Sequence, residues 1–274
     1  MKLNIAVVQF AIAQFEPEHN LKKAEEFIRK AAAQAQIIVF PEDFVTGPLR
    51  GQRAYADDDG QYVRHFQQLA ARYGIDIVPG SIIESEGERL YNTTYYIDKS
   101  GVIKGKYRKV NLWLPERHYL VPGDEHPVFE TAYGKTGLLI CWDLMFPETF
   151  RAMLHQGVEL VICPSYWCFE DAGVGLTHDP DSEVTLVNSL CVTRAFENEV
   201  VVVYANAADA PNVEKESLIG RSQVAVPFKG MLQRLNHAKE EMFVQVVDTA
   251  LLADAETAYE IRKDMLERSG FLPR

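Results

Sequence analysis

Short apolar runs alternate with helix-periodic segments along most of this chain, and that alternation narrows its possible folds more than any other feature. Residues 5–10 and the run Ile37-Ile38-Val39-Phe40 read as buried strands, the second stopped by Pro41. Between them, Ala24, Phe27, Ile28 and Ala31 fall at the i, i+3, i+4, i+7 spacing of an amphipathic helix over residues 19–34. A second helix is predicted over 62–73, then a strand region over 75–83. Residues 91–97 have strong β propensity, and 102–110 return as a hairpin partner after the turn at 98–101. The pattern continues with strands at 135–141 and 158–163, flanking a helix at 147–156. A helix at 182–198 and a strand at 200–205 follow, then strands at 222–226 and 242–247 and a final helix at 251–268. One α/β domain over residues 1–274 fits this order, with helices on the sheet faces. The antiparallel signal in 75–110 favours a layered sandwich over an open doubly wound sheet.

Charge removes several classes of function. With 28 basic and 39 acidic residues the net charge is −11, which argues against non-specific nucleic-acid binding and against a polybasic membrane anchor. No apolar run approaches the ~18 residues of a membrane span, and the N-terminus reads as a first strand, not a signal peptide. Cys141, Cys163, Cys168 and Cys191 lie in or beside apolar segments, as reduced thiols of a cytoplasmic protein would. Cys163 and Cys168 lack a convincing set of partner ligands, so no metal is expected, and no Gly-rich phosphate loop is present.

Three positions where strands end carry reactive groups. Leu138-Leu139-Ile140 leads into Cys141, ahead of a helix beginning near Pro147, and strand ends are where α/β folds present chemistry. A cysteine nucleophile needs a base or a depressed pKa, and none of the seven histidines sits in a recognisable cysteine-protease signature. Glu42 follows Phe40-Pro41, and Lys109 follows Tyr107-Arg108. Taken singly, each has an ordinary structural reading: a buried thiol, a loop or capping carboxylate, a lysine on a hairpin.

Together, Glu42, Lys109 and Cys141 resemble the nitrilase (carbon–nitrogen hydrolase) superfamily in order and separation, 67 and then 32 residues apart. The opening strand with Val8-Gln9, Leu120-Val121-Pro122-Gly123-Asp124 and Arg194-Ala195-Phe196-Glu197-Asn198 with Val203-Tyr204-Ala205-Asn206 are similar to further segments of that family. So is Gly220-Arg221-Ser222 through Pro227, and the resemblance spans roughly residues 3–248.

The resemblance implies an α-β-β-α sandwich with no cofactor. It implies Glu42 as general base, Cys141 as nucleophile and Lys109 as oxyanion stabiliser beside the backbone N–H of Trp142. Glu116 matches a second glutamate that orients the lysine; its ordinary alternative is a loop salt bridge with Arg117. Trp142, Asp143, Met145, Tyr166 and Trp167 are the expected substrate contacts. Asp143 leans toward amide or N-carbamoyl substrates, since nitrile-cleaving members tend to carry Glu there. Met145 stands where ω-amidase-like branches often carry an arginine for a substrate carboxylate, which makes a dicarboxylate monoamide less attractive. Residues 141–148 look close to N-carbamoylputrescine amidohydrolases; Asp171, Asp179, Asp181 and Glu183 would suit a cationic tail or a solvated loop equally. The loop 166–181 is a candidate for specificity or for a subunit contact. Nitrile hydrolysis, acyl transfer by the same triad and a non-catalytic binding protein of the same fold remain as alternatives. A homodimer or larger homo-oligomer is implied, with residues 250–274 placing a helix and the tail residues Phe271 and Leu272 at a subunit interface.

Overall fold

The computed structural model of the chain describes residues 1–210 and 216–267. Strands β1 (Lys2–Gln9), β2 (Ile37–Val39), β3 (Asp76–Val78), β4 (Ser81–Glu86), β5 (Arg89–Ile97) and β6 (Ile103–Arg108) belong to one sheet. A second sheet holds β7 (Val128–Thr131), β8 (Gly134–Leu138), β9 (Leu160–Ser165), β10 (Val201–Asn206), β11 (Gln223–Val226) and β12 (Gly230–Arg234), in the order β12-β11-β10-β9-β8-β7. The last strand, β13 (Glu241–Asp248), returns to the first sheet and pairs antiparallel with β1, giving β13-β1-β2-β3-β5-β4, with β6 also on β5. Each sheet has a parallel centre, β1-β2-β3 in one and β8-β9-β10 in the other. The expected hairpin is β5-β6, antiparallel with Thr93 opposite Arg108.

Strand periodicity explains why the central runs are apolar on both faces. Ala6, Val8 and Phe10 pack with Ala24, Ile28 and Ala31 of α1 (Pro17–Ala31) and with Phe66 and Leu69 of α2 (Gln61–Tyr73). Their neighbours Leu3, Ile5 and Val7 point the other way, into the core that includes Val39, Val78 and the second sheet. The far side of that sheet is covered by α3 (Pro147–Leu154) and α4 (Ser182–Asn198), through Phe150, Met153, Val187, Cys191 and Ala195. This is an α-β-β-α sandwich. Each fully buried Val, Leu or Ile contributes roughly 1.5–3 kcal/mol to holding the layers together.

Three features differ from the sequence reading. Strands β7 and β12 were not anticipated: both are largely half-buried edge strands, so neither shows an apolar alternation. The strand expected over 135–141 ends at Leu138, and Cys141 opens a 3-10 turn, Cys141–Met145. The final helix is two, α5 (Leu251–Tyr259) and α6 (Ile261–Glu267), broken by Glu260 at φ 50°. The end of that expected helix at residue 268 and the tail with Phe271 and Leu272 lie outside the described residues. All four cysteines are free thiols and buried.

Candidate active site

The ends of four strands, two from each sheet, converge on one cavity of about 460 Å³. Glu42 lies just beyond β2, Lys109 directly after β6, Cys141 beyond β8 and Tyr166 directly after β9. Glu116 comes from a 3-10 turn, Glu116–His118, inside the long irregular segment that follows β6. Residues far apart in the chain therefore meet because parallel strands deliver their C-terminal ends to the same place.

Lys109 is the hub. Its Nζ is 2.7 Å from Glu42 Oε1 and 2.8 Å from Glu116 Oε2, with the lysine 2% exposed. Asn92 on β5 donates to both carboxylates, at 2.9 Å to Glu42 Oε1 and 3.2 Å to Glu116 Oε1. The backbone N–H of Tyr166 donates to Glu42 Oε2 at 2.9 Å, and that of Trp113 donates to Glu116 Oε2 at 2.7 Å. Every oxygen of the two glutamates thus has a donor, which is how a buried charge cluster stays folded.

Cys141 sits at φ 46°, in the left-handed region that L-residues avoid at a cost of about 1–3 kcal/mol. The turn holds its Sγ at the cavity that Glu42 also lines, 3.9 Å from the Tyr166 carbonyl oxygen. Burial pushes the thiol well above its ordinary pKa and the Glu42 charge adds to this, while Lys109 opposes both. Glu42 is itself raised, by burial first and by Glu116, against the pull of Lys109. For Lys109 burial acts downward, but Glu116 and Glu42 outweigh it and hold the ammonium well above the usual lysine range. The resting arrangement is a neutral thiol facing a carboxylate that a fixed cation keeps ionisable.

Trp142, Tyr166 and Trp167 line the cavity, as the sequence reading placed them. Asp143 and Met145, also expected as substrate contacts, are not among the lining residues. Asp143 is fully buried and points away from the cavity. Its Oδ2 accepts from Tyr107 OH at 2.8 Å and Ile140 N at 3.0 Å, and its Oδ1 from Asn111 N at 2.8 Å and Nδ2 at 2.9 Å. Met145 packs against the central core, and its carbonyl accepts from Arg194 at 2.9 Å.

Of the acidic residues considered for a cationic tail, only Asp171 reaches the cavity; Asp179 and Asp181 are exposed, and Glu183 accepts from the Trp167 indole N–H. Sequence reasoning missed Asp43, Pro48, Arg50, Trp113, His118, Tyr119 and Glu216, which complete the wall with Pro115 and Cys168. Arg50 pairs with Glu216 at 2.7 Å, and Glu216 also accepts from Tyr166 OH at 3.0 Å. Asn92 was missed too, hidden inside a run read only for its β propensity. Burial pushes the Asp171 carboxyl up to about 7, with the Cys168 N–H hydrogen bond opposing and Glu183 and Glu216 adding to the rise.

Residues 4–256 match the model of the carbon-nitrogen hydrolase family, and the chain belongs to that family. It is accordingly a hydrolase of carbon–nitrogen bonds. Among its relatives, the 2-oxoglutaramate amidase of Bacillus subtilis is 31% identical, with 97% of this chain and 100% of that one covered. The nitrilase of Pyrococcus abyssi is 31% identical, with 91% of each covered. Among solved structures, a mutant of the amidase from Nesterenkonia sp. AN1 superposes with a TM-score of 0.77 at 26% identity, covering 95% of this chain and 96% of that one. That structure shows covalent addition of the acetamide moiety of fluoroacetamide at the active-site cysteine.

Proposed function

We propose that the protein hydrolyses an amide or N-carbamoyl compound through a thioester on Cys141. The observation that carries this reading is the convergence of Cys141, Glu42 and Lys109 on one cavity, with Lys109 Nζ 2.7 Å from Glu42 Oε1. Glu42 takes the proton of the Cys141 thiol as the sulfur attacks the carbonyl carbon. The oxyanion that forms is met by the Lys109 ammonium and the Trp142 backbone N–H. Collapse of the tetrahedral species breaks the C–N bond, and the leaving nitrogen receives the proton held by Glu42. Water then attacks the thioester carbonyl, giving its proton to Glu42; Cys141 leaves as the thiolate and recovers that proton. This is covalent catalysis in two acyl-transfer steps. Glu116 serves by fixing Lys109 from the side opposite Glu42, so the ammonium is aimed before charge develops.

The covalent adduct on the cysteine of the Nesterenkonia amidase supports the nucleophile assignment. That adduct derives from an amide, while the relatives carry both the amidase and the nitrilase name. The test is ammonia release from a panel of aliphatic amides, ω-amides, N-carbamoyl amines, N-carbamoyl amino acids and nitriles, comparing wild type with Cys141→Ala. We expect release from an amide or N-carbamoyl class that the variant lacks entirely. Equal release by the variant, or activity confined to nitriles, would reject the reading.

A further inference from the structure

Two hydroxyl groups sit behind the nucleophile without a use in the resting state. Ser165 ends β9 and is fully buried, and its Oγ has no hydrogen-bond partner. Tyr204 on β10 is fully buried as well, and its phenolic oxygen is likewise unpartnered. Neither residue lines the cavity. Tyr204 lies opposite Cys163 in the parallel pairing of β10 with β9, so Ser165, two residues further on, shares its face of the sheet, and the carbonyl of the next residue, Tyr166, is 3.9 Å from Cys141 Sγ.

An unsatisfied buried hydroxyl costs about 1–3 kcal/mol, and native folds keep few of them. Two in a row, ending at a reactive sulfur, call for a state of the molecule in which they are satisfied. That state is the thiolate. A thiol sulfur is a weak acceptor and exerts little hold on a neighbouring hydroxyl; a thiolate is the strongest acceptor within reach.

We infer that the Ser165 hydroxyl donates a hydrogen bond to the Cys141 sulfur once the thiol has lost its proton, and that Tyr204 acts through Ser165 as a positioning residue. Tyr204 O–H donates to Ser165 Oγ, and Ser165 O–H donates to Sγ. Both hydroxyls keep their protons throughout, and the proton released by Cys141 goes to Glu42. The sulfur is then supported from two sides, by Lys109 across the cavity and by the hydroxyl pair from the sheet. Because the donors are fixed by β9 and β10, little reorganisation accompanies the appearance of charge. Ser165 is also tied to the base, since its carbonyl accepts from Glu42 N at 3.2 Å. One residue thereby sets the relative position of base and nucleophile.

This inference rests on the nucleophile assignment for Cys141, but its test needs no turnover. The rate of Cys141 alkylation by iodoacetamide, followed by peptide mass spectrometry, reports the thiolate directly as pH is raised. The titratable groups that face Cys141 are Glu42 and Lys109 from the first sheet and Tyr204 and Cys163 from the second; Ser165→Ala leaves all four in place. In that variant we expect alkylation at neutral pH to slow about tenfold or more, the worth of a hydrogen bond to a charged group. The midpoint of the pH profile should move up by about one unit. Tyr204→Phe, which removes a single oxygen, should shift the midpoint in the same direction by less, and Ser165→Thr should restore the wild-type profile. A wild-type midpoint in Ser165→Ala would overturn the inference, as would a lowered Tm with no change in midpoint. Should Cys141→Ala still release ammonia, the nucleophile assignment falls instead, and the alkylation series still reports whether the hydroxyls act on the thiol.

Discussion

Two carboxylate clusters lie buried beside each other, and they are held in different ways. Around Lys109, Glu42 and Glu116 share one ammonium and the amide of Asn92, and all three charged groups border the cavity. Around Asp143, two backbone N–H groups, one amide and one phenol fill both oxygens, and among the described residues no ion pair reaches it. The first cluster keeps mobile charge next to space for a ligand. The second spends its acceptors on joining the segment after β6 to the turn that carries Cys141. Burial and residue type are the same; what separates chemistry from architecture is the character of the donors and access to the cavity.

That contrast is broken most severely by Lys109→Met. Turnover should fall by at least ~10²-fold, since a single oxyanion donor is worth roughly that much. The two glutamates would also lose their cation, and removing one member of a buried charged set costs about 3–5 kcal/mol, read by urea denaturation. Asp143→Ala should do the reverse. Its donors are orphaned at about 1–3 kcal/mol for the first of them, so stability drops strongly, and activity falls only as far as the Cys141 turn is disturbed. Tyr107→Phe, removing one of those donors, should cost about 1 kcal/mol and leave the rate near wild type. A large rate loss in Tyr107→Phe with unchanged stability would erase the distinction between the clusters.

The smallest expected effect concerns pH. Asp171 is raised to about 7, so the folded protein holds this proton where the unfolded chain has already lost it. Its contribution is complete below the ordinary aspartate range and is lost as pH rises toward 7. The Tm should therefore decline over that window, and Asp171→Asn should flatten the decline. An unchanged slope in the variant would mean that Asp171 is ionised throughout.

Legibility in the sequence followed how local each signal is. The strands β1, β2, β9 and β10 are apolar on both faces, and a run of apolar residues announces them. Glu42, Lys109 and Cys141 were visible because each follows a strand and because their order and separations resemble the family pattern. Strands β7 and β12 were silent because half-buried edges need no apolar pattern. The break at Glu260 was silent because a left-handed residue there is not a glycine. The cavity mouth was silent for another reason: Arg50, Asp171 and Glu216 come from three separate segments, Asp171 from the 3-10 helix Phe169–Thr177, and only the folded chain sets them together. The sequence shows that a carboxylate follows Cys141-Trp142 but not that its oxygens accept from Tyr107, Asn111 and Ile140.

The pairing of β1 with β13 also governs how the chain must be made. Lys2 lies opposite Asp248 and Gln9 opposite Glu241, and Gln9 Nε2 donates to the carbonyls of His237 and Lys239. Residues 241–248 therefore leave the ribosome long after residues 2–9. At ~5–20 residues per second, that edge waits on the order of ten seconds or longer. During this interval Ile5, Ala6, Val7 and Val8 present an unpaired apolar border, the kind of surface on which nascent chains aggregate. The β1–β13 edge of the first sheet can therefore close only after residues 241–248 have been made.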